Sequence, residues 1–280
     1  MPKTKEPTTK PSEPEKVDAY MAKLKHPLAN VVADLRKIPI FGPLLSWGSR
    51  KLLPSDTLVW VEIQRGHARG LWVCVNPRTG QAVQHGDGEP AVQNALVEYL
   101  RPGVTFYDVG ANIGFFSLLA SRIVGPFGRV VSFEADPEIA ARLRENLARN
   151  GFDQARVVQS AVWSEPTTVF FARVDVSVSP DRGLGHVAIQ GNSADTIAVD
   201  AVALDDFLDS DRQPDFIKCD VEGAETAVFA GAENLLRQKH PILLVEMHSA
   251  ENHRALTRKF LEFGYNCRDL DENHVLALPQ

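Results

Sequence analysis

The sequence predicts an α/β fold built on a doubly wound, mostly parallel sheet. From residue 104 onward, short apolar strands alternate with amphipathic helices, beginning with the strand VTFYDV and the helix NIGFFSLLASRIV. Strands that are apolar along nearly their whole length, such as PILLVEMH at 241–248, are typical of parallel sheets, because helices cover both faces. A chain of 280 residues is long enough for one such core and a small appendage.

Composition excludes several classes of protein. The net charge is −6, so there is no electrostatic basis for binding nucleic acid, and no such partner is expected. The three cysteines, Cys74, Cys219 and Cys267, are too widely spaced for a disulfide framework or a zinc site. A reducing cytoplasm is the simplest setting for them, and a cytoplasmic location is therefore predicted.

The N-terminal part is predicted to be an extension of the α/β domain. Residues 1–16 are rich in Lys, Pro, Glu and Thr and read as a disordered tail. Residues 17–85 are predicted to form a helical segment followed by a β-hairpin made of TLVWVEIQ (57–64) and LWVCVN (71–76). The apolar run within 38–51 is too short to span a bilayer. Packing on the domain is favoured for it, with peripheral membrane contact as the alternative.

Residues 86–280 are predicted to form the α/β domain itself. Its first helix begins at Pro90, since proline fits the first helical position, and ends at Pro102-Gly103. The third helix, 137–151, has Asp136 as its N-cap and Gly151 as its stop. Further strands are predicted at 129–135, 167–174, 196–204, 215–223 and 241–248, and the range 155–162 is predicted to hold a third strand with its following loop. Helices are predicted up to about 239 and at 253–265, with one or two strands at the end.

A long segment at 173–198 interrupts this alternation and is predicted to be a loop. Long loops inside compact domains are often functional. Three of its polar residues, Arg182, His186 and Asn192, are therefore candidates for binding the substrate. Glu89, directly before the first helix, is either a cofactor contact or a first-turn helix acid.

The turn after the first predicted strand indicates a nucleotide-type cofactor, because ligands of such sheets lie beyond the carboxyl ends of the strands. The dinucleotide fingerprint G-x-G-x-x-G fails here, since Asn112 and Phe115 stand where glycines are required. The pattern D-x-G-x-G-x-G is typical of the cofactor turn of S-adenosylmethionine-dependent methyltransferases. Asp108, Gly110 and Gly114 match it, with Asn112 as the one departure. Asparagine tolerates left-handed backbone angles, so the turn favours S-adenosylmethionine over NAD.

Other residues complete the predicted cofactor site. Glu134 lies twenty residues beyond the last turn glycine, where a carboxylate can accept hydrogen bonds from both ribose hydroxyls. Ala135 follows it at the same strand end. Ser160 and Ala161, after the third strand, are expected to border the adenine, and Asp108 to hold the methionine ammonium group.

Several stretches together resemble the FkbM-type methyltransferase family. They run in order between about residues 80 and 248 and are GDGEPAVQNALVEYLRPG, FYDVGANIGFFSLLAS, GRVVSFEADPE, NLARNG, LDDFL, DFIKCDVEGAE and PILLVEMH. The asparagine of DVGANIG is what this family carries, whereas FEAD departs from its common FEPD. The resemblance implies the class I methyltransferase fold, S-adenosylmethionine as donor, and typically O-methylation of sugar hydroxyls or natural-product scaffolds, so the expected partner is a small-molecule or glycan acceptor.

Methyl transfer to an alcohol requires a base near the methyl group. Two adjacent strands end at Asp220 and at Glu246 and His248, and these three residues are the predicted catalytic group, with Asp220 also placed beside the cofactor. His248 is favoured because histidine titrates near neutrality. Alternatively, the three bind a divalent metal, Mn²⁺ or Fe²⁺ rather than Mg²⁺, which is not the favoured interpretation. A non-catalytic cofactor-binding relative is a further alternative.

Overall fold

The structure is a computed structural model that describes residues 57–77, 79–174, 185–188, 196–207 and 212–280. The predicted tail, the helical segment after it and the apolar run at 38–51 lie outside these ranges, as do Arg182 and Asn192. Within the described ranges, no helix combines the length and the apolarity that crossing a bilayer requires.

The elements are numbered in chain order. The strands are β1 (Val59–Glu62), β2 (Trp72–Val75), β3 (Thr105–Val109), β4 (Arg129–Phe133), β5 (Ala155–Val158), β6 (Ala161–Val162), β7 (Thr167–Ala172), β8 (His186–Ala188), β9 (Thr196–Val202), β10 (Phe216–Cys219), β11 (Ile242–Glu246), β12 (Tyr265–Asp269) and β13 (His274–Pro279). The helices are α1 (Gln81–His85), α2 (Pro90–Tyr99), α3 (Phe115–Val124), α4 (Pro137–Arg149), α5 (Glu225–Ala230), α6 (Glu233–Lys239) and α7 (Ala250–Glu262).

The central sheet has seven strands in the order β12-β13-β11-β10-β3-β4-β5. The five strands from β11 to β5 are parallel, while β13 runs antiparallel to both β11 and β12. Successive residues of each strand enter different cores: Phe106 packs with α2, α3 and α4, and Tyr107 packs with α5, α6 and α7. Both faces are thus covered by helices, which confirms the predicted doubly wound sheet.

The predicted hairpin is present and is attached to α4. β1 and β2 pair antiparallel. The backbone N–H groups of Trp72 and Cys74 each donate, over 2.8 Å, to the side-chain oxygens of Asn150 and Asn146. These bonds satisfy backbone donors at one edge of β2, and the hairpin also shares one hydrophobic core with the α/β region.

Two differences from the predicted elements concern the segment 173–198 and the helix that was predicted to end at about residue 239. The segment predicted as a loop contains β8, which pairs with β7 in a second, four-stranded sheet of order β6-β9-β7-β8. A strand of three residues is too short to show a period of two in the sequence, and it forms only because β7 offers a free edge. The helix predicted up to residue 239 is divided into α5 and α6 at Gly231, where a side chain would collide with the carbonyl oxygen of Trp163.

Candidate active site

The glycine turn between β3 and α3 has the left-handed backbone that the sequence predicts. Gly110, Asn112 and Gly114 have φ values of 77°, 50° and 91°. A Cβ atom at Gly110 would overlap the carbonyl oxygen of Asp220, and one at Gly114 would overlap the side chain of Leu143 on α4. The glycines therefore allow the turn to approach β10 and α4, and Asn112 fits the position between them because asparagine tolerates this conformation.

Glu134 joins this turn to the end of β4. One of its carboxylate oxygens accepts a hydrogen bond from the N–H of Asn112 and the other from the N–H of Asp136, both at 2.8 Å. Its residue surface is only 8% exposed, and burial raises the pKa of Glu134 to about 7. The two backbone donors fix the orientation of the carboxylate before any ligand arrives.

A cleft with an empty volume of about 660 Å³, including open solvent, lies at the carboxyl ends of β3, β4 and β10. Seven of the nine predicted cofactor residues line it: Gly110, Asn112, Glu134, Ala135, Ser160, Ala161 and Asp220. Asp108 and Gly114 do not line it. The sequence did not anticipate Phe171, Gly185 and Val187, which bring the second sheet to the cleft. His186 lies beside them on β8 but is exposed.

Asp108 lies in the interior, next to a lysine that the sequence analysis missed. The hydroxyl of Ser117 donates to Asp108 over 2.6 Å, and the Lys218 ammonium lies 3.8 Å from Asp108 and 3.2 Å from Asp220. Burial alone would lower the pKa of Lys218, but Asp220 and Asp108 hold it above its ordinary value. The signal available in the sequence was a lysine inside an otherwise apolar strand. In the structure, the register of β10 and β3 places this lysine directly opposite Asp108. Contact between Asp108 and the cofactor remains a prediction.

The structure corrects the expectation that His248 titrates near neutrality. Its Nδ1 lies 2.8 Å from Glu225 Oε1 and its Nε2 lies 3.2 Å from Glu222 Oε2. Carboxylates only accept hydrogen bonds, so both ring nitrogens carry protons. These two hydrogen bonds raise the pKa of His248 to about 10, and the side chain is an imidazolium at neutral pH.

The predicted catalytic residues Asp220, Glu246 and His248 do come together, with ligand atoms that all lie within 4.8 Å of one another. Burial and the nearby Asp220 carboxylate raise the pKa of Glu246 to about 7. Glu246 also faces His274, a residue that the sequence analysis missed, at 3.7 Å. No motif marks His274, because only the antiparallel return of β13 brings it opposite Glu246.

Comparisons with known proteins agree with this geometry. A model of the methyltransferase FkbM domain matches residues 108–267, more than half of the chain. Hexuronic acid methyltransferase AglP of Haloferax volcanii is 25% identical over 206 residues, which are 69% of this chain and 78% of that protein. Arsenite methyltransferase of Halobacterium salinarum is 28% identical over 159 residues, which are 54% of this chain but only 38% of that protein.

Among solved structures, methyltransferase FkbM from Methylobacillus flagellatus is similar to this chain with a TM-score of 0.47 and 21% identity, over 64% of this chain and 45% of that one. The domain match includes the glycine turn, Glu134 and the ends of β10 and β11. The chain therefore belongs to the FkbM family of S-adenosylmethionine-dependent methyltransferases.

Proposed function

We propose that this protein transfers a methyl group from S-adenosylmethionine to a hydroxyl group of a sugar, a glycan or a natural-product scaffold. One observation carries the proposal: the cleft lined by Gly110, Asn112 and Glu134 continues to Asp220, where the strand-end carboxylates begin. A site for the donor and a group able to take a proton from the acceptor thus lie side by side. The similarity to a hexuronic acid methyltransferase supports a sugar acceptor.

The cleft suits the nucleoside end of the donor. The Glu134 carboxylate borders it and can accept hydrogen bonds from two ribose hydroxyls. Phe133, Ile139 and Val162 provide apolar walls of the kind that an adenine ring requires. Gly110 lines the cleft, and only glycine fits there because a Cβ atom would overlap the carbonyl oxygen of Asp220.

The acceptor hydroxyl loses its proton as the methyl group is transferred, and Asp220 is the proposed base. Of the three predicted catalytic residues, all of them described, Asp220 alone lines the cleft. Both nitrogens of His248 face carboxylates and leave no lone pair for a proton. In this proposal His248 keeps the surrounding carboxylates together by ion pairing, and positioning of donor and acceptor supplies much of the rate enhancement.

The test is methyl transfer from labelled S-adenosylmethionine to a panel of neutral sugars, uronic acids, amino sugars and polyol scaffolds. The proposal expects transfer to oxygen in at least one class and loss of that transfer in Asp220→Asn. Binding of S-adenosylhomocysteine without transfer to any hydroxyl would favour a non-catalytic relative instead. Binding of NAD but not of S-adenosylhomocysteine would contradict the assignment of the cofactor.

A further inference from the structure

A second cluster of candidate metal ligands lies beside the strand-end cluster and shares one residue with it. Glu89 precedes α2, Glu246 ends β11 and His274 begins β13, and one ligand atom from each lies within 4.8 Å of the others. His274 Nε2 is 3.3 Å from Glu89 Oε2 and 3.7 Å from Glu246 Oε2. Two carboxylates therefore converge on one ring nitrogen.

That nitrogen is buried and has no aligned hydrogen-bond acceptor. His274 is 6% exposed, and its Nε2 makes no hydrogen bond to any part of the chain that the structure describes. Its Nδ1 is held by both oxygens of Asp271, at 2.8 and 3.0 Å, and so carries a proton. The Nε2 atom therefore faces two negative groups without an aligned hydrogen bond, an arrangement that is favourable only when a positive charge, a proton or a metal ion, lies between them.

The distances suit a metal ion. With metal–ligand bonds of about 2.1 Å, neighbouring ligand atoms are separated by roughly 3.0 Å in an octahedron and roughly 3.4 Å in a tetrahedron. The 3.3 and 3.7 Å separations lie close to this range. A histidine whose other nitrogen donates to a carboxylate, as His274 donates to Asp271, is also the usual arrangement of a metal-binding histidine.

We propose that Glu89, Glu246 and His274 bind a divalent metal ion that accepts mixed oxygen and nitrogen ligands, with Mn²⁺ as the probe. The alternative set, Asp220, Glu246 and His248, offers no buried nitrogen of this kind, because the His248 side chain is partly exposed and its Nε2 already lies 3.2 Å from a further carboxylate, Glu222. Three protein ligands leave coordination positions open, and Glu246 connects the ion to the strand-end cluster.

Titration of the metal-free full-length protein with Mn²⁺, followed by the EPR signal of free Mn²⁺, tests the proposal without any assay of methyl transfer. Wild type is expected to bind one ion per chain. Glu89→Gln and His274→Ala are expected to weaken binding at least about tenfold, as would Asp271→Asn through the orientation of His274. His253→Ala, which removes an exposed histidine on α7, is the matched control and should bind like wild type.

Three results would overturn the proposal, and the first two are no binding by wild type and wild-type affinity in both Glu89→Gln and His274→Ala. Loss of binding in His248→Ala with retention in His274→Ala would move the ion to the other set and also overturn it. Affinity for S-adenosylhomocysteine is measured in parallel, since Glu89 and His274 do not line the cofactor cleft. Retained affinity shows that a variant is folded, and it separates failure of the metal site from failure of the proposed methyltransferase function.

Discussion

Glu134→Gln is the most direct test of the cofactor cleft. The carboxylate accepts one hydrogen bond from Asn112 N–H and one from Asp136 N–H. The glutamine amide has nearly the same shape but only one accepting oxygen, so its NH₂ group must face one of the two N–H donors. That donor, buried and unpaired, costs about 1–3 kcal/mol of folding free energy.

The effect on ligand binding is separate and is calculated in the same way. A ribose hydroxyl that donates to a charged carboxylate contributes about 1.5–3 kcal/mol. Since about 1.4 kcal/mol corresponds to a factor of ten, loss of one such bond should raise the Kd of S-adenosylhomocysteine by roughly 10- to 150-fold. Isothermal titration calorimetry measures this change, and thermal unfolding measures the cost to stability.

Glu165→Gln removes an exposed carboxylate outside the cleft and serves as the matched control. It should leave the affinity and the unfolding temperature of the protein unchanged. If Glu134→Gln is folded and binds S-adenosylhomocysteine within threefold of wild type, then Glu134 does not hold the ribose. The cleft would in that case have to be reassigned to a different ligand.

Three further predictions concern the same cleft. Gly110→Ala should lower the unfolding temperature by several degrees and abolish S-adenosylhomocysteine binding, because its Cβ meets the Asp220 carbonyl. Gly103 also has a positive φ, 88°, but open space around it, so Gly103→Ala should lose only about 1 kcal/mol of folding free energy from backbone strain. Equal losses of stability in the two variants would contradict the clash at Gly110. Asp220→Asn should reduce kcat, measured at saturating S-adenosylmethionine, by about 100-fold or more, and an unchanged kcat in a transfer assay would move the base to another carboxylate. Burial raises the pKa of Glu134 to about 7, so its carboxylate is protonated as the pH falls through that value. Affinity for S-adenosylhomocysteine should therefore weaken between pH 8 and pH 6 in wild type but not in Glu134→Gln. Calorimetry across this range measures the difference, and parallel pH profiles of the two proteins would refute the prediction.

The glycine turn and the central strands were accessible to sequence reasoning because their causes are local. Positive φ at 110, 112 and 114 follows from residue type, and the apolar strands follow from burial on both faces. For the same reason seven of the nine predicted cofactor residues line the cleft, since each was placed by its distance from a strand end.

The second sheet was not accessible in this way. β8 is three residues long and depends on the free edge of β7, a partner fourteen or more residues away in the chain. Its residue Val187 and the neighbouring Phe171 close one side of the cleft. No local period marks such a strand, because pairing rather than propensity stabilises it.

The sequence by itself determined the α/β fold class, the family and the positions of the glycine turn and of the strand-end acids, since these depend on local pattern and on the order of strands. The tertiary structure decided the protonation of His248 and the surroundings of Lys218 and His274. Electrostatic interactions depend on separation in space, and Glu222, Glu225 and Glu89 reach these groups only when strands and loops distant in the chain converge.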